Sequence, residues 1–153
     1  EDDGGLIAVL HPGFFDKDPR FYTYERNKKS LAYIKRDKKI NHYYYMGGLN
    51  GGISSEYLKL IRACAENIRT DYNNNIIAVF HDESHLNKYL VDKKCLRLSP
   101  AYGYPEGWDL NFEIKILIRD KVKIDKYFDK KDHSLFGKVK RAFLKLHRVI
   151  SSN

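Results

Sequence analysis

A chain of 153 residues is long enough for one domain with its own core, and 42% hydrophobic with 14% aromatic residues excludes an intrinsically disordered protein. The net charge of +8 is unevenly spread: residues 121–153 carry ten Lys or Arg against three Asp, so the remainder is near neutral and a nucleic-acid groove across the domain is not supported. Two cysteines, Cys64 and Cys95, are too few for a disulfide scaffold and read as buried free thiols, and no apolar run is long enough to cross a bilayer.

The chain begins at Glu1, not Met, and enters a strand almost at once, which suggests a piece of something longer. "LIAVL" (6–10) predicts a short buried strand, broken by Pro12 and Gly13 in "HPGFF". "RFYTYER" (20–26) alternates enough for a strand or an extended loop, and "KKSLAYIKRDKKINH" reads as an exposed basic loop. "YYYMGGLNGG" (43–52) is strand-like, then glycine-rich. Ser54 and Ser55 can cap a helix to about Arg69, with Tyr57, Leu58, Ile61, Ala65 and Ile68 on one face and "DYNNN" ending it. "IIAVF" (76–80) predicts a second buried strand, followed by a short helix from Asp82 or Glu83 to Leu90. "CLRLSP" and "FEIKILI" (112–118) predict two more strands, and a last helix spans roughly 134–150. Strands alternating with helices imply an α/β fold around a mixed sheet. The expected organisation is a domain over residues 1–120 and a basic tail over 121–153.

The chemistry concentrates in "HDESHLNKYL" (81–90). Ligands of open α/β sheets bind outside the carboxyl ends of strands, and Asp82 and Glu83 fall at such an edge, where a helix N-terminus favours carboxylates. Two adjacent carboxylates can divide the labour, one gripping hydroxyls and one facing a reacting carbon; an N-cap with a first-turn acid would look the same from position alone. A zinc site is disfavoured, because the zinc-protease pattern needs Glu directly after the first His and Asp82 stands there. The glycines Gly47, Gly48, Gly51 and Gly52 lack the Lys of a phosphate-binding loop. They let a ligand approach the backbone, or let a strand pack tightly on a helix.

Taken in order, "HPGFF", "FYTYER", "AYI", "YYYMGGLNGG", "HDESHLNKYL" and "LSPAY" resemble glycosyltransferase family 6, the family of the histo-blood-group A and B transferases, over about residues 6–104. "SPAYGYPEGW" is similar to the bacterial branch. The resemblance implies the C-terminal part of a GT-A fold. It also implies transfer of GalNAc or Gal from a UDP-sugar, in α-1,3 linkage and with retention, to a galactose-containing glycan that can be fucosylated. It implies that Glu83 lies under the anomeric carbon and also meets the acceptor. Asp82 would hold donor-sugar hydroxyls, with His81, Met46, Gly47 and Gly48 lining that pocket. His11, Thr23 and Phe80 would contact the acceptor, and Lys121 the diphosphate.

Some positions depart from the family. Phe80 replaces a Trp, keeping a ring but losing the indole N–H, and Pro105 stands where mammalian members have an acceptor-binding Asp. Met46 with Gly48 mixes the pairs that accompany Gal and GalNAc. The family's N-terminal half, with much of its nucleotide site and the D-x-D motif, is not expected here. No metal is therefore expected on this chain, and Mn²⁺ is relevant only if that half carries D-x-D. The competing class is a non-catalytic or truncated sugar-binding fragment. Finally, Leu135, Phe136, Val139, Ala142, Phe143, Leu146, Val149 and Ile150 recur at helical spacing among Lys and Arg. Residues 134–150 are thus expected to lie on an anionic membrane surface. With a lipid-linked acceptor, that would put the protein in a bacterial cytoplasm, peripheral at the inner membrane.

Overall fold

The structure, a computed structural model, describes residues 4–35 and 43–124. The chain divides into two units, Glu1–Ile118 and Arg119–Asn153, each described by itself. In the first unit, strand β1 (Leu6–Leu10) lies at the centre of a three-stranded sheet. It pairs antiparallel with β2 (Tyr45–Gly52) and parallel with β3 (Leu96–Leu98), so the sheet is mixed, as expected. A second, two-stranded sheet joins β4 (Tyr104–Pro105) in parallel to β5 (Leu117–Ile118). Helix α1 spans Ser54–Asn73 and α2 spans His81–Leu90. In the second unit the described residues contain only α3, Lys121–Ile124; the proposed helix over 134–150 lies outside the described residues.

Strand periodicity sorts the side chains. Leu6 and Ala8 of β1 face a core shared with Tyr45, Leu60, Leu86, Leu90 and Cys95. Val9 points to the other face, against the 3₁₀ turn Pro100–Gly103. Where the chain enters β2, the alternation splits two neighbouring tyrosines between two clusters. Tyr45 enters the core under α1 and α2, and Tyr44 joins Tyr22, Tyr24 and Ile34. The segment 20–26 is extended without a ladder, beyond one 3₁₀ turn at Pro19–Phe21, and its tyrosines pack on Tyr44 at ring-centroid distances of 5.2–5.8 Å.

Several expectations are corrected. "IIAVF" is not a buried strand: only Ala78 is buried, and Ile77 is 67% exposed. Its amides are taken by non-strand acceptors, Ile76 N–H by the Asp71 carbonyl and Val79 N–H by the Glu25 carboxylate, which leaves no ladder. Helix α1 runs four residues past Arg69 and buries Leu60 and Asp71, with Tyr57 and Cys64 packed on the core. Leu58, Ile61 and Ile68 stay largely exposed, so the buried stripe is rotated from the expected one. Neither Ser54 nor Ser55 caps it; Ile53 holds the cap position, with no side-chain bond. In the basic loop Ser30, Ala32 and Ile34 are buried, because Ser30 and the Leu31 N–H both bond Asp71. Of "FEIKILI", only Leu117 and Ile118 form strand.

Helix α2 is docked by polar groups as much as by Leu86 and Leu90. The Asn87 amide accepts from Tyr45 N–H (2.9 Å) and donates to the Tyr45 carbonyl (2.9 Å), so it acts as a short extra strand beside β2. The same NH₂ donates to the Glu83 carbonyl. Replacing Asn87 by Ala strips partners from buried backbone groups that water cannot reach, at a cost of about 2–3 kcal/mol. Urea unfolding of Asn87→Ala is expected to show that loss with an unchanged m-value; a loss under about 0.5 kcal/mol contradicts this account.

Candidate active site

The site begins with an irregularity in the ladder. Ala8 pairs with Asn50 and Leu10 with Tyr45, so a single β1 residue, Val9, stands opposite Met46, Gly47, Gly48 and Leu49. This bulge frees Gly47 from the sheet. Its N–H donates to Glu83 Oε2 at 2.8 Å, and its carbonyl accepts from Asn50 Nδ2 at 3.0 Å. Asn50 is held in turn by the Tyr57 hydroxyl of α1 (2.9 Å). A Cβ on Gly47 would come within 3.1 Å of Glu83 Cβ, so the bare backbone sets how closely α2 approaches. This is the structural use of glycine left open above, serving the carboxylate.

The other carboxylate oxygen, Oε1, accepts from the Tyr44 hydroxyl at 2.9 Å. Tyr44 is 2% exposed, and burial holds its phenol far above the usual range. Its oxygen accepts in turn from Thr23 Oγ1 at 3.2 Å. His11 follows the carboxyl end of β1 with its ring edge-on to Tyr44 at 5.6 Å. Its Nδ1 accepts from Gly13 N–H at 3.0 Å. Burial pulls the His11 imidazole below its ordinary pKa, and the nearby Glu83 charge only partly opposes this. Thr23, His11, Gly47 and Glu83 therefore converge around one buried phenol.

The side chains of the remaining expected residues of the first unit make no hydrogen bond to that cluster. Asp82 is exposed one position earlier on α2; burial chiefly, and then its charge, push the Cys64 thiol up to about 11. His81 begins α2 in the left-handed region at φ 49°, exposed, at the bend from loop to helix. Phe80 precedes it with its N–H donated to Ser84 Oγ. Met46 packs against Gly103 and lies 3.2 Å from where a Cβ on Gly48 would sit. Lys121 is exposed at the start of α3, in the second unit. Because "IIAVF" forms no strand, the carboxylates do not sit at its carboxyl edge; the strand ends at the cluster are those of β1 and β2. Among the described residues, no group of three His, Cys, Asp or Glu could hold a metal ion, and His85 is buried where His81 is exposed.

Sequence reasoning missed Tyr44, Asn50, Tyr57 and Asn87. A signal existed for Asn87, which is four residues after Glu83 and so shares its helical face. For Tyr44 the cue was alternation within "YYY", which had to send neighbouring tyrosines to opposite faces.

The family described as Glycosyltransferase family 6 matches residues 1–135. An O-antigen biosynthesis glycosyltransferase of Escherichia coli, WbnI, is 39% identical over 119 residues, covering 78% of this chain and 50% of that protein. Histo-blood group ABO system transferase 1 of Rattus norvegicus is 46% identical over 107 residues, 67% of this chain and 30% of its own length. Globoside alpha-1,3-N-acetylgalactosaminyltransferase 1 of Mus musculus is 36% identical over 121 residues, 78% of this chain and 34% of its own length. The chain thus spans half or less of these relatives.

Two histidines, the buried His85 and the partly buried His11, give the unit a pH dependence. Burial lowers both His11 and His85 from 6.5, against the opposing pull of Glu83 on His11 and of Asp71 on His85. The unfolded chain takes up these protons first. Stability is therefore full above about pH 6.5 and falls as pH drops below it. Thermal melts between pH 7.5 and 5 are expected to show the fall, and His85→Gln should flatten it. An equal slope in that variant removes His85 from the account.

Proposed function

Since the chain belongs to glycosyltransferase family 6, with the mixed sheet and flanking helices of a GT-A-type domain, we propose that it serves a retaining transferase of GalNAc or Gal. The donor is a UDP-sugar and the new linkage is α-1,3, to a galactose-containing glycan, fucosylated in some acceptors. The name of the mouse relative supports GalNAc and the linkage, that of the rat relative a blood-group-type glycan, and that of the Escherichia coli relative an O-antigen-type acceptor. One observation carries the reading: the Glu83 carboxylate is fixed by two donors, Tyr44 O–H and Gly47 N–H, beside the part-exposed His11 and Thr23.

A carboxylate that stabilises a developing oxocarbenium charge, or attacks it, must be oriented before the donor arrives. Glu83 meets that requirement through its two charge-assisted bonds. Its free lone pairs would face the anomeric carbon while UDP departs with the bonding electrons. Asp82 and His81 would hold donor hydroxyls at the opening of α2. Phe80 would offer a ring to the acceptor, and Lys121 a charge to the diphosphate. No metal is assigned to this chain; Mn²⁺ enters only with a D-x-D motif outside it. Donor choice would rest on Met46 and Gly48, because a methyl at 48 pushes directly on the Met46 thioether. Assays of the full-length enzyme with UDP-GalNAc and UDP-Gal test these roles together. Glu83→Gln is expected to lower kcat by about two to four decades, and Gly48→Ala to move the donor ratio towards UDP-Gal. Turnover like wild type in the first, or an unmoved ratio in the second, removes that residue from its role. A second reading, a sugar-binding fragment without transfer, is favoured by the short span against the relatives. It requires galactoside binding with no response to UDP in calorimetry.

Location is part of the same proposal: a bacterial cytoplasmic protein held at the inner membrane by the cationic residues 134–150. Its support is the charge excess after Lys121 and a lipid-linked acceptor, since each Lys or Arg near anionic headgroups contributes about 1 kcal/mol. Sedimentation with anionic vesicles is expected to pellet the full chain, less so at high salt, and to leave a version ending before Asp132 in solution. Equal behaviour of the two discards the membrane role.

A further inference from the structure

The proton positions around Tyr44 are fixed by which groups can donate. A carboxylate has no proton, so the one between Tyr44 and Glu83 Oε1 is the phenol's own. Tyr44 Oη can then only accept from Thr23, so the proton between them belongs to Thr23. With that proton turned inward, Thr23 Oγ1 presents only lone pairs to a ligand. His11 is fixed in the opposite sense. Gly13 N–H can only donate, so Nδ1 is bare and the neutral ring carries its proton on Nε2. Among the described residues Nε2 has no partner, and His11 and Thr23 are both partly exposed.

We propose that this ordering selects the sugar: the ligand group seated on Thr23 must donate a hydrogen bond, and the group seated on His11 must accept one. Tyr44 is the positioning residue that transmits the requirement, linking Thr23 to Glu83. The inference rests on the acceptor reading above and deepens it. The acceptor's two hydroxyls are not equivalent, since one is held as donor and the other as acceptor. An ether, a fluorine or a carbonyl at the first place leaves two acceptors facing each other.

Glu83→Gln should reverse the order rather than merely weaken it. Gly47 N–H still needs an acceptor, so the amide must turn its oxygen to Gly47 and its NH₂ to Tyr44. The phenol then accepts from the amide and gives its proton to Thr23, whose own proton swings outward.

The test is equilibrium binding, by NMR titration of the full-length chain, of methyl β-galactoside with its monodeoxy and monodeoxyfluoro analogues. Fluorine accepts weakly and never donates. In the wild type one ring position is expected where the fluoro analogue binds as poorly as the deoxy analogue, both about tenfold weaker than the parent. In Glu83→Gln the fluoro analogue at that position should bind better than the deoxy one by about threefold. Tyr44→Phe, which keeps the ring volume and frees Thr23, should also abolish the fluorine penalty, and it stands in if Glu83→Gln fails to fold. Nitrogen-15 shifts should find His11 protonated at Nε2 at neutral pH. Protonation at Nδ1, a flat fluorine profile, or the same profile in wild type and both variants overturns the inference. If galactosides bind and are glycosylated while the fluorine profile is flat, only this inference falls; if none binds to the folded protein, the acceptor reading falls with it.

Discussion

The arrangement depends on one short contact, the bond from Gly47 N–H to Glu83 Oε2. Strand β2 lies at the edge of its sheet and so has amides to offer outward, and the bulge opposite Val9 sits at the stretch that offers this one. The contact also requires position 47 to lack a side chain, since a Cβ there presses on Glu83 Cβ. The distance between α2 and β2 is thereby set by a hydrogen bond rather than by side-chain bulk. Asn50 and Tyr57 hold the other side of the same peptide, so α1 contributes to placing a carboxylate on α2 without touching it. The glycine-rich stretch is neither a phosphate cradle nor a bare turn; it is the gap that lets a helix and a strand share a proton.

What could be read in advance follows from the range of the forces involved. Strand β1 was legible because five apolar residues between a glycine pair and "HPG" leave few alternatives. Helix α2 was legible from its first-turn acids and its length. The segment 76–80 failed because an apolar run specifies burial only if partners exist for its amides. Those amides are claimed by Glu25 and the Asp71 carbonyl, residues distant or unremarkable in sequence. Helix α1 failed for a related reason. It carries two apolar stripes, and the choice between them was made by Asp71, a buried acid serving Ser30 and the Leu31 amide some forty positions away. Glu83 was singled out by its motif, and His11 and Thr23 by family likeness. Their common partner Tyr44 was not: alternation sends neighbouring tyrosines to opposite faces, but it does not say which face meets α2.

The sequence "HDESHLNKYL" makes sense as a helix whose docking is directional. Its buried face carries Ser84, His85 and Asn87 alongside Leu86 and Leu90. Ser84 takes the Phe80 amide, His85 lies 3.7 Å from Asp71, and Asn87 spans Tyr45. An apolar stripe alone tolerates small slides and rotations at little cost, because dispersion has no preferred direction. The hydrogen bonds that tie Asn87 to Tyr45, and Glu83 to Tyr44 and Gly47, do not tolerate them, and burial raises the penalty for leaving any one unmade. Such a helix loses some hydrophobic stabilisation and gains a fixed orientation. In the role proposed for Glu83, that of meeting a developing charge, orientation is the quantity that matters. The polar residues around Glu83 are therefore best understood as part of its placement, even where they touch no ligand.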